Sequence, residues 1–485
     1  MERTEIDGVP VLWAAGPAPL SAALVFGCGA RDETFRSIGV THLVEHLAMG
    51  TLPRVHHERN AAVDLELTAF TATGRPEQIV DFLDGVCRAL AALPLDRIGK
   101  EAGVLAAEGG HCAHPSVEGL LHQRFGAQGP GLAPLVGPGF DRIAPEMVSG
   151  HAARFFVAGN AVLILTGPPP QGLRLPLPPG PRAAHPVPVP LPTSGPIWFN
   201  GVVPEVGLSL LGRRDAAWRL GMGVLAERME RVARHQHGLS YDVGGDVTLV
   251  DADRRLYSIT VDAREGQEGA VARLLWAELR RLADEGPTEA ELAEECAAAR
   301  ELHDDPRTVE AELLEAAAAE LFGLPYTPSA ERLAERATVT PEDVSRRLRE
   351  ALDTVQLVVP PEVRVELSGL AEGGCRRSRE EPTGRVFRPP LLAKLITRDA
   401  RGLRLILTDD GVALRDPDGD VHLVRFSEVV GVEEDGAERT VFGRHGCHVP
   451  VDPVLFRGAE AVVRAVDAAV PAELRYPRSA LTPAD

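Results

Sequence analysis

Three residues near the start of the chain have the types and the spacing of a metal site. His42 and His46 lie four positions apart, and Glu45 directly precedes the second histidine. On a helix, residues four apart share one face, so both imidazoles can reach one metal ion. A carboxylate beside that face can take a proton from metal-bound water, whose pKa zinc lowers to about 7. The motif therefore predicts hydrolytic chemistry at Zn²⁺, with Glu45 as the general base.

Regular secondary structure must position this motif. Apolar runs at Val9–Trp13 and 22–26 predict two strands, and the helix that carries both histidines is predicted over 39–48. Residues 79–93 have apolar side chains at intervals of three and four, which predicts a second helix. A third helix is predicted over 95–108. The elements around the motif are thus of the α+β type.

The motif and its flanks resemble a known family. The order His-x-x-Glu-His is the inverted zinc motif of the pitrilysin, insulinase and mitochondrial-processing-peptidase metallopeptidases. The glycine-rich, charged stretch 27–33 is similar to the segment before that motif, Gly39 lies three residues before the first histidine, and Gly50-Thr51 follows it. The resemblance covers about residues 1–368 and implies two homologous α+β domains that form half of a peptidase chamber.

The same resemblance implies a third zinc ligand. The family takes a glutamate from a later helix, within a pair of glutamates seven residues apart, and Glu101 and Glu108 match that pattern. Seven residues are two helical turns, so both carboxylates lie on one face. By resemblance, Glu108 is the ligand and Glu101 orients the site without binding the metal. Taken alone, such a pair is more often a solvated helix face.

A second motif lies further along the chain. Arg234, Gly238, Leu239 and Tyr241 resemble the family's R-x-x-x-G-L-x-Y pattern, whose arginine and tyrosine are thought to approach the substrate carbonyl. A guanidinium and a phenol are suitable donors to the oxyanion that forms when water attacks a peptide bond. The alternative is local: Arg234 caps the preceding helix near its negative end, and Tyr241 starts a strand. The zinc motif favours the functional interpretation.

The chain departs from the family between its two zinc-ligand motifs. His46 and Glu108 are 62 positions apart, which is shorter than usual. The shortage is predicted to fall in 51–74, where a helix and a strand that line the cleft are normally expected. Residues 65–73 are the candidate for the remaining strand, and the asparagine of the family's cleft strand has no confident counterpart. Zinc binding is predicted despite this loss, whereas the sequence does not determine substrate preference or activity.

Other chemistry has little support in the sequence. No phosphate-binding P-loop and no G-x-S-x-G nucleophile motif occur. Six further histidines near the motifs are adjacent in sequence, in loops or at a helix end, and are not predicted to bind the metal: His56, His57, His111, His114, His235 and His237.

Composition excludes some partners. The 485 residues include 51 basic and 70 acidic ones, for a formal charge of −19. Such acidity argues against general nucleic-acid binding and against attachment to anionic lipid. The six cysteines form no C-x-x-C pair, which fits a reducing compartment. No secretory signal and no membrane span are recognised, so we expect a cytoplasmic protein.

Two segments of unusual composition divide the chain. A proline-rich stretch over 168–196 predicts an extended linker between α+β domains at 1–167 and 197–368. Both domains have a similar order of elements, which suggests an ancient duplication. A second linker is predicted over 369–390. In 391–485, short strand candidates and one closing helix predict a small β-rich domain that resembles a pleckstrin-homology-like barrel.

The resemblance implies a zinc-dependent endopeptidase that hydrolyses peptides or unfolded segments inside a chamber. Long family members carry four such domains, so a two-domain chain is expected to form a homodimer or to pair with a related subunit. The alternative is a non-catalytic or weakly active subunit that binds peptides or scaffolds a partner. A zinc ion that only stabilises the fold is disfavoured, because three protein ligands leave a position open for water.

Overall fold

A computed structural model describes residues 1–109, 112–192, 196–374, 377–390 and 402–480. The first part of the chain forms a six-stranded sheet in the order β1-β2-β6-β3-β5-β4. Its strands are β1 Glu2–Ile6, β2 Val9–Trp13, β3 Leu20–Phe26, β4 Glu58–Val63, β5 Thr68–Gly74 and β6 Ala161–Leu165. Its helices are α1 Val40–Met49, α2 Pro76–Ala91, α3 Ile98–Glu108, α4 Pro115–Phe125 and α5 Pro145–Phe155. The helices predicted at 39–48, 79–93 and 95–108 are therefore present.

The second part forms another six-stranded sheet, in the order β12-β7-β11-β8-β10-β9. Its strands are β7 Ile197–Asn200, β8 Val206–Arg213, β9 Val243–Leu249, β10 Arg254–Val261, β11 Gln356–Val359 and β12 Ala371–Glu372. Its helices are α6 Ala216–Met229, α7 Glu268–Glu285, α8 Glu289–Asp304, α9 Val309–Phe322, α10 Ser329–Arg336 and α11 Pro341–Ala351. The α6 helix continues as a π-helical segment over Glu230–Gln236.

The two sheets share one topology. Without their outermost strands β1 and β12, they run β2-β6-β3-β5-β4 and β7-β11-β8-β10-β9, so each strand has a counterpart at the same place in chain order. The first and last strands of each set pair in parallel, and the remaining pairs are antiparallel. The same topology in both halves agrees with the predicted duplication. It also makes α1 and α6 equivalent, since each follows the second of these strands.

Helices exchanged between the halves join the two sheets. One face of the first sheet packs on its own helices α1 and α2, whereas α9 covers the opposite face with Leu313, Ala317 and Leu321. In return, α4 covers the second sheet. Its buried Arg124 donates to the Ser209 backbone oxygen (3.4 Å) and to the Thr354 backbone oxygen (2.8 Å). Each half therefore completes the core of the other.

The C-terminal part folds into two further sheets and one helix. The five-stranded sheet has the order β13-β17-β16-β15-β14, and the four-stranded sheet has the order β20-β19-β18-β21. Their strands are β13 Arg377–Ser378, β14 Arg385–Phe387, β15 Arg404–Leu407, β16 Gly411–Arg415, β17 Val421–Arg425, β18 Val429–Asp435, β19 Glu438–Gly443, β20 His448–Val451 and β21 Arg475–Pro477. Helix α12, Glu460–Ala469, packs on their shared core through Val462 and Val466.

The predicted β-rich fold of this part is confirmed, but its described strands do not form the expected barrel. Within the described residues, the strands divide into two separate sheets. The short predicted strands specify hairpins, which are local, whereas barrel closure depends on pairing between distant strands.

The two predicted linkers differ in structure. In 168–192 the described chain carries no helix or strand, whereas the segment 369–390 supplies β12 to the second sheet and β13 and β14 to the five-stranded sheet. Short two- and three-residue strands have too few side chains to show period-two alternation, so the sequence does not reveal them. The domain bounds stay predictions, and residues 193–195, 375–376, 391–401 and 481–485 of those segments lie outside the described residues. In the described chain, no helix combines the length and the apolar character needed to span a bilayer.

Candidate metal centre

Helix α1 presents two histidines to one side and a core to the other. Leu43, Val44 and Leu47 are fully buried. The His42 and His46 side chains, by contrast, are 29% and 18% exposed. The period of 3.6 residues therefore separates an apolar stripe, which packs on the first sheet, from a stripe of metal-binding side chains.

A buried carboxylate fixes the start of this helix. Gly39, with φ +88°, is the residue before the first turn. The backbone N–H groups of Gly39 and Thr41 donate to the two carboxylate oxygens of Glu33, at 2.7 and 2.9 Å. Glu33 thus satisfies two amides that the helix itself leaves unpaired. This gives the charged stretch before the motif a structural role.

The structure brings His42, His46 and Glu108 together. Their potential ligand atoms all lie within 4.8 Å of one another. The two imidazole rings are 4.8 Å apart between centroids and nearly perpendicular, at 82°. Glu108 Oε2, on the last residue of α3, lies 3.3 Å from His46 Nε2. The three predicted ligands therefore converge from two helices.

This donor set fits zinc. Two donors about 2.0–2.1 Å from one ion at a tetrahedral angle are about 3.4 Å apart, close to the contact between His46 and Glu108. Burial and the neighbouring His46 lower the pKa of His42, which favours the neutral imidazole that binds metals. Two imidazoles and one carboxylate leave a fourth position free, as in catalytic rather than structural sites.

Glu101 lies behind His46, on the side away from the candidate ligands. Its Oε2 is 3.7 Å from His46 Nδ1, the ring nitrogen that does not face Glu108. Its Oε1 accepts a hydrogen bond from Arg97 Nη2 at 2.8 Å. The second guanidinium nitrogen of Arg97 donates to the Gly50 carbonyl, at the end of α1, at 2.9 Å. This arrangement can orient the His46 ring, as the sequence predicts for Glu101.

Glu45 faces the same ligands from within α1. Its Oε2 is 3.6 Å from His42 Nε2 and 3.8 Å from His46 Nε2. Burial, with added repulsion from Glu108 and Glu101, raises the pKa of Glu45 to about 7. A carboxyl group with a pKa near neutrality can both accept and return a proton, which a general base in hydrolysis must do.

Buried polar side chains that the sequence does not predict to be part of the site contact the first turn of α1 and the segment before it. His151 Nε2 lies 3.0 Å from Thr41 Oγ1, in the first turn of α1, and 3.4 Å from Cys28 Sγ. Nearby, Asp32 Oδ1 is 2.7 Å from His185 Nδ1, which comes from the proline-rich linker. These partners are distant in sequence, and no local pattern marks them.

Glu33 makes a testable contribution to the pH dependence of stability. Burial raises its pKa to about 7 from an ordinary value of 4.5. Between about pH 4.5 and 7, the folded protein holds this proton and the unfolded chain does not, so the contribution of Glu33 to stability falls as the pH rises. We expect the free energy of unfolding to change less between pH 5 and 7 in Glu33→Gln than in the wild type, by about 1–3 kcal/mol. It is measured by urea unfolding of the metal-free protein.

The exposed Glu146 provides the matched control for this experiment. Glu146→Gln removes the same kind of group from the surface and should leave the slope unchanged. A wild-type slope in Glu33→Gln would contradict the assignment.

Arg234 and Tyr241 form a pair at the end of the helix that is equivalent to α1. The Arg234 guanidinium carbon lies 5.1 Å from the centre of the Tyr241 ring, and its Nη1 donates to Glu230. Tyr241 is 75% exposed, and Asp262 accepts from its backbone N–H. Among the described residues, the contacts of this pair lie within the second half, and none joins the pair to the candidate metal ligands. Their catalytic role stays a prediction.

A strand that the sequence does not predict lies beside α1. β4 spans Glu58–Val63 and pairs with β5, which spans Thr68–Gly74 rather than 65–73. The strand predicted at 65–73 thus corresponds to β5, β4 is an additional strand before it, and no helix lies between Thr51 and His57. β4 contacts α1 and carries the exposed Asn60.

The edges of the two large sheets are joined beside this strand. Arg31 Nη1 donates to the Leu249 carbonyl at 2.8 Å and lies 3.6 Å from Glu66 Oε1, while Glu66 accepts from the Leu249 N–H. Gly29 permits the approach, since a Cβ there would lie 2.4 Å from the Asp64 carbonyl oxygen. These contacts join the turn between β4 and β5 to the end of β9.

Several of the other histidines have partners away from the candidate ligands. His114 Nε2 is 3.2 Å from Glu205, and His57 Nδ1 is 3.3 Å from Gln78. His235 Nε2 lies 3.9 Å from Glu230. His111 lies outside the described residues.

Comparison with known proteins supports the fold. Residues 213–298 match the family model of the peptidase M16 inactive domain. This match lies in the second half and contains none of the candidate zinc ligands. No curated protein matches the sequence significantly.

Solved structures are similar over most of the chain. The peptidase M16 inactive domain from Pseudomonas fluorescens has a TM-score of 0.57 at 15% identity, over 75% of this chain and 99% of that one. A protease from Helicobacter pylori has a TM-score of 0.57 at 13% identity, over 74% and 98%. The periplasmic protease PqqL from Escherichia coli has a TM-score of 0.56 at 14% identity, over 90% of this chain and 56% of that one. These likenesses confirm the predicted α+β fold of the half-chamber type.

Proposed function

We propose that this chain is a zinc-dependent endopeptidase of the M16 family that hydrolyses peptides or unfolded segments. The observation that carries the proposal is the convergence of His42, His46 and Glu108, with the Glu45 carboxylate facing the same ligands. Three ligands and one base, supplied by two helices, form a site whose fourth metal position is open to water. The match to the M16 model and the likeness to proteases support the family assignment.

Each residue has a defined task in this mechanism. His42, His46 and Glu108 would hold the zinc ion, and Glu101 would orient the His46 ring. The ion would supply a Lewis acid for water and for the scissile carbonyl. Glu45 accepts the proton of the attacking water and returns it to the leaving amine.

The second half supplies the remaining donors in this proposal. Arg234 and Tyr241 donate hydrogen bonds to the developing oxyanion when substrate lies between the halves. The Arg234 guanidinium already stacks on the exposed Tyr241 ring, so the two donors form one unit.

An extended peptide suits the cleft. β4 is the terminal strand of its sheet, so one of its edges has backbone groups free to pair with another strand. A peptide bound there would run beside the helix that carries both candidate histidine ligands. Asn60 offers an amide to its backbone. The formal charge of −19 favours peptides over nucleic acids.

A second subunit completes the chamber in this proposal. The chain covers only 56% of PqqL, so a related single-chain protease is nearly twice as long as the aligned part. We propose either a homodimer or a heterodimer with a related subunit, in the cytoplasm.

Zinc content and peptide cleavage, measured on the same preparation, test the proposal. We expect one zinc ion per chain and cleavage of a fluorogenic peptide library. Cleavage should stop on addition of a chelator and return on addition of zinc. A chain that binds one zinc ion but cleaves no peptide, alone or with a related subunit, would contradict the proposed activity.

A non-catalytic subunit is the alternative function. The observation that favours it is the description of the matched model and of the Pseudomonas fluorescens structure as an inactive domain. The residues that match the family model do not include the candidate zinc ligands. A complete group of ligands with a buried base is unexpected in a subunit that only binds peptides. Peptide binding without cleavage would support this alternative.

A further inference from the structure

Phe35 lies where the C-terminal segment (residues 377–390 and 402–480) meets the first half of the chain. The Phe35 side chain is 5% exposed, and its ring is 5.0 Å from that of Phe442 between centroids. Gly431 faces the same ring, since a Cβ built there would lie 2.6 Å from Phe35 Cε1. The register of β18 shifts between Val429 and Gly431, and this bulge makes a notch that accepts the ring.

The neighbouring Arg36 adds polar contacts with the same segment. Its guanidinium lies 4.7 Å from the centre of the Tyr476 ring, and its Nε donates to the Glu473 carbonyl at 3.1 Å. Tyr476 and Phe35 belong to one buried cluster with Ala127 and Leu132. The contact is therefore a shared apolar core and not a loose surface encounter.

A second segment of the first half is held by the end of the described chain. Arg142 Nη2 donates to the Arg478 carbonyl at 2.6 Å. The Asp141 carboxylate accepts from the Ser479 hydroxyl at 2.5 Å and from the Ala480 N–H at 3.1 Å. These bonds fasten the short 3-10 turn Phe140–Arg142 to residues 478–480.

Both contacted segments support the helices that carry the candidate ligands. The turn Phe35–Ser37 leads into Gly39 and α1. Phe140 packs directly on Gly39, where a Cβ would lie 2.2 Å from Phe140 Cε1. The turn Phe140–Arg142 also contacts α3, the helix of Glu101 and Glu108. The C-terminal segment therefore reaches both helices through one intervening layer of residues.

We propose that the C-terminal segment holds α1 in the position required for metal binding, and that Phe35 is the positioning residue of this contact. The inference rests on the proposed zinc site for its consequence, but the contact itself exists without metal. Close-packed interiors transmit displacements, so loss of the Phe35 ring frees the turn that leads into α1. His42 and His46 then lose their alignment with Glu108, which α3 holds separately.

Three variants test this role from both sides of the contact. Phe35→Ala removes the ring, Gly431→Ala fills the notch from the C-terminal segment, and Phe35→Leu keeps an apolar side chain. Amide hydrogen exchange of α1 is measured on the metal-free protein, and zinc affinity is measured by chelator competition. We expect the first two variants to speed exchange in α1 and to weaken zinc binding, each about tenfold, and Phe35→Leu to restore most of both.

Phe199→Ala is the matched control, because Phe199 is equally buried, at 4% exposure, but lies in β7 of the second sheet. It should lower overall stability without a selective change in α1. The visible spectrum of the cobalt-substituted protein should change in Phe35→Ala and Gly431→Ala and should stay as in the wild type in Phe199→Ala.

The proposal is overturned if Phe35→Ala and Gly431→Ala match Phe199→Ala in α1 exchange and in metal affinity. If Phe35→Ala does not fold, Gly431→Ala, which adds one methyl group, decides the question by the same measurements. Failure of the wild-type protein to bind zinc would refute the proposed function, whereas exchange in the metal-free α1 would still test the contact.

Discussion

Glu45→Gln is expected to abolish peptide hydrolysis while the protein still binds one zinc ion. The amide has nearly the same shape as the carboxylate but cannot accept the proton of the attacking water. General-base catalysis contributes about 10²–10⁴-fold, so we expect kcat to fall about 10³-fold. Because the carboxyl group is buried beside Glu101 and Glu108, its removal should not lower the melting temperature. Activity and zinc content are measured on the same sample.

The control for this experiment is Glu77→Gln, which changes an exposed glutamate of α2 and should leave activity intact. The pH profile gives a second readout. The base must be ionised, so hydrolysis falls with decreasing pH below the pKa of Glu45. That pKa is about 7 without metal and is lowered by a bound cation. Full activity of Glu45→Gln would show that another group accepts the proton.

His46→Ala is expected to remove both zinc and activity. His46 Nε2 is the donor nearest to Glu108, at 3.3 Å, and its ring also faces Glu101. Its loss leaves only two of the three candidate ligands, His42 and Glu108. Changes behind a ligand typically cost 10–100-fold in affinity, so loss of the ligand itself should cost more than about a hundredfold. Zinc affinity is measured by chelator competition.

His56→Ala, at an exposed histidine outside the cluster, should bind zinc as the wild type does. Zinc stoichiometry near one with unchanged affinity in His46→Ala would contradict the assigned site. Unlike Glu45→Gln, His46→Ala is expected to lose the protection against thermal unfolding that bound zinc provides.

The helical part of the site was predictable because it is local. The spacing of His42 and His46 specifies one helix face wherever the helix forms, and α1 spans Val40–Met49 against a predicted 39–48. The spacing of Glu101 and Glu108 likewise specifies two side chains on one face of α3. The strands predicted at Val9–Trp13 and 22–26 are present as β2 and β3, because runs of apolar residues of this length are typical of buried strands.

Features that depend on contacts between distant parts of the chain were not predictable from the sequence. β4 is an edge strand whose side chains alternate between exposed and half-buried, so its pattern is weak and the cleft strand with Asn60 was missed. The three short strands in 369–390 form only because other strands accept them. The barrel expected for the C-terminal segment is absent from the described strands for the same reason, because pairing between distant strands decides whether a sheet closes into a barrel.

The sequence by itself, through residue type, helical period and the family resemblance, was sufficient to propose zinc ligands, a base and an orienting carboxylate, because residue type and helical period are local properties. Only the tertiary structure decided that Glu108 meets His46, that Glu101 lies behind the His46 ring and that burial shifts the pKa of Glu45 towards neutrality. Those outcomes depend on how α3 packs against α1. The contact between Phe35 and Gly431 joins positions far apart in the sequence, and close packing alone makes them neighbours.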